Sequence, residues 1–68
     1  MMINKVKAVI QAMGKTRYKV MKETGLSRNT IYNSYRDEKK WLAEVTVDAF
    51  LRTYPTLTLD DLMERVPD

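Results

Sequence analysis

Neither cysteine nor histidine occurs among the 68 residues of the chain. Without thiols there can be no disulfide framework and no thiolate zinc site, and without imidazole the commonest metal ligand and general base is missing. Glycine and proline occur only twice each, and there is no Gly-rich phosphate loop, no repeat and no low-complexity segment. No apolar run approaches the roughly 18 to 20 residues that cross a bilayer. The opening MMINKVKAVIQAMG carries charges between its apolar positions, which does not suit a secretory signal. Together these absences point to an intracellular chain with no cofactor and no metal. Catalysis is not expected: the acid pair Asp60-Asp61 is already explained as a helix cap.

What is present is a small, lopsided charge distribution over a chain that is 44% hydrophobic. A chain of this length is expected to form one domain that buries only about 60% of its unfolded surface. Residues 1–40 hold ten Lys or Arg against three acids, a net of +7, whereas residues 41–68 hold two against six, a net of −4. A polyanion is drawn to the first part and repelled by the second.

Apolar spacing predicts five helices and no convincing strand. Ile3, Val6, Val9, Ile10 and Met13 recur at helical intervals in the first, which Gly14 closes. The second runs from about Arg17 to Thr24, capped by Thr16 and ended by Gly25, with Val20 and Met21 facing inward. Ser27 caps the third, from Arg28 to about Arg36, and Leu26 and Ile31 stand as a hydrophobic staple. The fourth covers about Leu42 to Tyr54, although its Val45-Thr46-Val47 centre is also compatible with a short strand. Pro55 ends it, and Thr58 with Asp61 opens a fifth helix as a capping box, which Pro67 stops. Leu57 and Leu62 repeat the staple there.

Two short capped helices joined at Gly25-Leu26-Ser27 make the shape of a helix-turn-helix over residues 16–36. If Ile31, Ser34 and Tyr35 of its second helix face inward, then Arg28, Asn29, Tyr32, Asn33 and Arg36 form a continuous outer stripe. Arg can bond two acceptors on a guanine edge and Asn the acceptor and donor of an adenine edge, while Tyr32 can meet a thymine methyl or a phosphate. No acid lies between Thr24 and Arg36, so nothing on that stripe repels a phosphate backbone.

At these residues the chain resembles the Cro and lambda-repressor type of bacterial and phage transcription regulators. The resemblance covers nearly the whole chain and rests on Thr16, Thr24-Gly25-Leu26-Ser27, Thr30-Ile31, Asp61 to Glu64 and the closing Val66-Pro67-Asp68. It differs from the common pattern in having Arg17 for Gln, Met21 for Ala, and no Gly in the turn Arg36-Asp37-Glu38-Lys39-Lys40. The resemblance implies an all-α, compact five-helix bundle over residues 1–68, a lambda repressor-like DNA-binding domain whose third helix enters the major groove. It implies a cytoplasmic, nucleoid-associated regulator, acting as a repressor on double-stranded DNA. Base contacts are expected from Arg17, Arg28, Asn29, Asn33 and Tyr32, and phosphate contacts from Thr16, Ser27, Thr30, Arg36, Lys39 and Lys40. It also implies a homodimer on DNA; Trp41, Leu57, Leu59 and Met63 are candidates for its surface if exposed, although in so short a chain a place in the core or at its margin is the favoured expectation for each. A competing reading keeps the fold and makes the module an antitoxin-like, protein-binding adaptor.

Overall fold

The segment expected to begin the first helix does something else. In the computed structural model, which describes residues 1–67, Met2–Asn4 is a short strand, β1, and it pairs antiparallel with a second strand, β2, at Met63–Arg65. The register places Met2 opposite Arg65, Ile3 opposite Glu64 and Asn4 opposite Met63. Asp68, the end of the closing Val66-Pro67-Asp68 segment, lies outside the described residues. Between the strands come α1 (Val6–Ala12), α2 (Arg17–Thr24), α3 (Arg28–Arg36), α4 (Glu44–Thr53) and α5 (Leu59–Leu62). Five helices therefore form as expected, but the expectation of no strand is corrected, as are two helix boundaries. Ile3 belongs to the strand and not to α1, and α5 ends at Leu62, well before Pro67. Pairing between residues some sixty positions apart leaves no periodic mark on either three-residue segment, and it overrides the local helical spacing of Ile3 and Val6.

Asn4 explains why α1 starts late. It is only 3% exposed, yet every polar atom that the fold buries there has a partner. Its side-chain Nδ2 donates to the carbonyls of Asp37 (3.0 Å) and Lys40 (2.8 Å), its Oδ1 accepts from the Val6 N–H (3.2 Å), and its own N–H donates to the Glu38 carbonyl (2.7 Å). One asparagine thus satisfies the first N–H of α1 and ties the turn after α3 to the strand.

The helix-turn-helix is built from local signals. Thr16 Oγ1 accepts from the Lys19 N–H at 3.1 Å, and Ser27 Oγ from the Thr30 N–H at 3.2 Å, each satisfying a donor at the start of a helix. Gly25 takes φ +77°, a conformation that side chains disfavour, and its N–H donates to the Met21 carbonyl. Buried Thr24 adds a clamp: its hydroxyl donates to the Val20 carbonyl at 2.8 Å and accepts from the Leu26 N–H at 3.2 Å.

Val6, Ile10, Val20, Ile31, Phe50 and Leu62 are the fully buried centre on which all five helices converge. Met21, expected to face inward, is half-buried at the margin of that core. The Val45-Thr46-Val47 stretch is helical: Thr46, Ala49 and Phe50 turn inward with helical spacing, leaving Val45 70% exposed. Of the four candidate surface residues, Leu57 and Met63 pack against the core, while Trp41 (68% exposed) and Leu59 (54%) stand in solvent. Among the described residues no helix is long and apolar enough to cross a membrane.

A polar cluster joins α2 to the end of α4. Glu23 Oε1 accepts from Lys15 Nζ at 2.8 Å and from the Tyr54 hydroxyl at 2.7 Å. The Lys15 hydrogen bond, followed by that of Tyr54, holds the Glu23 carboxyl below the ordinary carboxylate value. Burial, followed by the bond to Glu23, pushes the Tyr54 phenol above its ordinary value. A phenol whose folded value is raised adds stability that is complete below about pH 10 and disappears as pH climbs through the folded value. Tyr54→Phe should therefore flatten the fall of the thermal midpoint above about pH 10 in circular-dichroism melts. Parallel alkaline curves for the two proteins would exclude Tyr54 from that transition.

Candidate nucleic-acid interface

The outer side of α3 is framed by side chains from three helices. Arg28, Asn29 and Arg36 are exposed, while Tyr32 and Asn33 are half-buried, so the stripe expected from spacing does lie on one accessible side of the helix. Arg17 joins it from the first turn of α2: its guanidinium carbon is 4.8 Å from the ring centroids of both Tyr32 and Tyr35. Arg28 lies 5.0 Å from the Tyr32 centroid and Lys7 of α1 5.8 Å from that of Tyr35. Lys7, Arg17, Tyr32, Asn33, Tyr35 and Arg36 together line a cleft of about 400 Å³.

The other flank of α3 is less basic. Asn29, Thr30 and Asn33 line a second cleft of about 280 Å³ with Lys40 and the exposed Trp41. Asn33 borders both clefts, and its Oδ1 accepts from Arg36 Nη2 at 3.0 Å. The Asn33 amide oxygen keeps a second lone pair and its NH₂ group stays free for an adenine edge, with Arg36 restraining the orientation of the amide.

The hydroxyl groups at the helix starts are not equivalent. Ser27 accepts from the Thr30 N–H and donates its proton to Thr30 Oγ1 at 2.8 Å, so its one hydroxyl proton is used within the cap. The Thr30 hydroxyl proton has no acceptor among the described residues. Thr16 Oγ1 likewise serves α2, with its hydroxyl proton uncommitted. Lys39 and Lys40, adjacent in the chain, diverge. Lys39 borders a larger depression of about 690 Å³ with Lys5, Lys7 and Arg36, whereas Lys40 faces the Asn29 side. Asp37 curls back on its own turn, where its Oδ1 accepts from the Lys39 N–H at 3.0 Å.

Arg17 and Arg28 have no carboxylate partner among the described residues; the ion pairs found there are Lys15–Glu23 and Arg52–Asp48. Two residues of this surface escape the sequence reading. Spacing reads Tyr35 only as facing inward and does not single out Lys7, yet the two lie within cation–ring reach of each other. Chain spacing carries no signal for either, because the contacts cross between helices.

The surface can offer in-plane guanidinium and amide groups to base edges and ammonium groups to phosphates. A family model described as a Cro/C1-type HTH DNA-binding domain matches residues 5–68. No curated protein and no solved structure matches the chain.

Proposed function

The chain belongs to the Cro/C1-type helix-turn-helix DNA-binding family, and on that premise we propose that it is a sequence-specific transcriptional regulator of the repressing kind. In this reading residues 1–68 are a single DNA-binding domain with α3 in the major groove. Arg28, Asn29 and Asn33 read base edges with help from Arg17 and Tyr32. Thr16, Ser27, Thr30, Arg36, Lys39 and Lys40 hold the backbone, with Thr30 and Thr16 better placed to donate than Ser27. The family resemblance extends the reading to a homodimer on two half-sites about one helical turn, roughly 34 Å, apart.

The observation that carries this reading is an outer α3 face on which neither Arg28 nor Arg36 is paired with a carboxylate among the described residues, Arg36 sharing one N–H with Asn33, and on which no acid lies between Thr24 and Arg36. Phosphate contacts then supply salt-dependent affinity and the face supplies preference. The test is selection from random duplexes, followed by titration of the wild type and Arg28→Ala against the selected site. A two-fold symmetric consensus is expected. Arg28→Ala should cost about 1 to 3 kcal/mol and relax preference at one base pair. Equal affinity and preference in the two proteins would remove Arg28 from base reading. An absence of duplex binding even at low salt would favour the protein-binding adaptor.

A further inference from the structure

We propose that Tyr35, with Tyr32, is a positioning residue that holds the Arg17 guanidinium in place for base reading, so that sequence preference depends on a ring that itself faces the protein. The proposal rests on the DNA-binding reading above. Its basis is a row of groups drawn from three helices: Lys7, Tyr35, Arg17, Tyr32 and Arg28, with every cation-to-centroid distance between 4.8 and 5.8 Å. Arg17 is the middle member and the one in reach of both rings.

An exposed arginine ordinarily samples many rotamers, and ordering it on binding DNA costs entropy. Two devices can order it beforehand. A carboxylate would do so by consuming its N–H donors and cancelling its charge. A ring attracts the flat face of the guanidinium and leaves the in-plane donors open. This chain uses the second device: Arg17 has no acidic partner among the described residues but two half-buried rings, both packed against the hydrophobic core. Tyr35 is further steadied through its hydroxyl, which accepts from Gln11 Nε2 at 3.4 Å. A rigid core thereby fixes an arginine that the α2 backbone alone would leave loose.

Tyr35 is the better test position, because Tyr32 could also touch DNA directly. Tyr35→Leu keeps an apolar side chain against the core and removes the ring. In competition titrations on the selected duplex and its single-base variants, it should lower preference at the base pair read by Arg17 by about 3- to 10-fold. The slope of log affinity on log salt should stay unchanged, since no phosphate contact is lost. Tyr35→Phe should retain the preference within about two-fold, because the ring is what acts. In an Arg17→Ala background Tyr35→Leu should have no further effect on preference, whereas a general packing defect would still show. Independently of DNA, the Arg17 side-chain protons should carry upfield ring-current shifts in the free protein, which gives a readout in Tyr35→Phe even if Tyr35→Leu does not fold. Unshifted Arg17 protons, or an unchanged preference in folded Tyr35→Leu, would overturn the proposal. If the wild type selects no sequence at all, it is the DNA-reading function that fails, and the ring-current shifts still report on the geometry.

Discussion

Phe50→Ala should leave little folded protein at room temperature. Phe50 is fully buried at the centre of the core, where α4 brings it among Val6, Ile10, Val20, Ile31 and Leu62. Truncating a buried phenylalanine removes its transfer free energy and leaves a cavity, together about 3 to 5 kcal/mol. A domain of this size has a total stability on the order of 3 to 10 kcal/mol. No disulfide can compensate, since the chain has no cysteine. Urea titration followed by circular dichroism checks this: the midpoint should fall to near or below zero denaturant. A loss under about 1 kcal/mol would mean that the neighbouring side chains collapse into the space. Phe50→Leu should recover most of the stability, because it retains most of the buried volume.

Asn4→Ala should cost about 2 to 4 kcal/mol, an effect out of proportion to the few atoms removed, because the penalty for a buried group left without a partner is about 1 to 3 kcal/mol. The substitution strands the Lys40 carbonyl and the Val6 N–H and leaves the Asp37 carbonyl with the Lys40 N–H alone, where the Asn4 side chain now serves all three. Since about 1 kcal/mol moves the midpoint of a 60–100-residue domain by roughly 4 to 8 °C, the melting temperature should drop by at least about 8 °C. The same change loosens the turn that presents Lys39 and Lys40. Hydrogen exchange should show faster exchange at Lys39 and Lys40 than global destabilisation alone produces. Unchanged protection there would mean that the turn is held by its own contacts, such as the Lys40 N–H to the Asp37 carbonyl at 3.1 Å.

The contrast between Asn4 and Gly25 shows what could be read from the sequence. Gly25, Thr16 and Ser27 act on backbone groups within four residues of themselves, so their roles follow from residue type and spacing. The α2–α3 unit was legible for that reason, and so was the Thr58–Asp61 box, in which Asp61 Oδ2 accepts from the Thr58 N–H at 2.8 Å. Asn4 serves carbonyls 33 and 36 residues away, and nothing next to it in the chain announces them. The strands failed for the same reason: three residues are too few to show a period, and their partner lies at the far end of the sequence. On the candidate interface, spacing places Arg28, Asn29, Tyr32, Asn33 and Arg36 on one side of a helix. It could not show Arg17 lying between two rings, since that needs the crossing of α2 over α3. Nor could it show Ser27 to be spent on its own cap.

The pairing of β1 with β2 also bears on the order in which the molecule assembles. Met2 and Arg65 stand 63 positions apart, whereas the α2–α3 unit closes within a window of 21 residues, 16 to 36. Bringing distant segments together carries the larger loop-closure entropy, and contacts between them slow folding most. The two-stranded strap is thus the late event, and the helix pair is the part that can organise while the chain's ends are still apart.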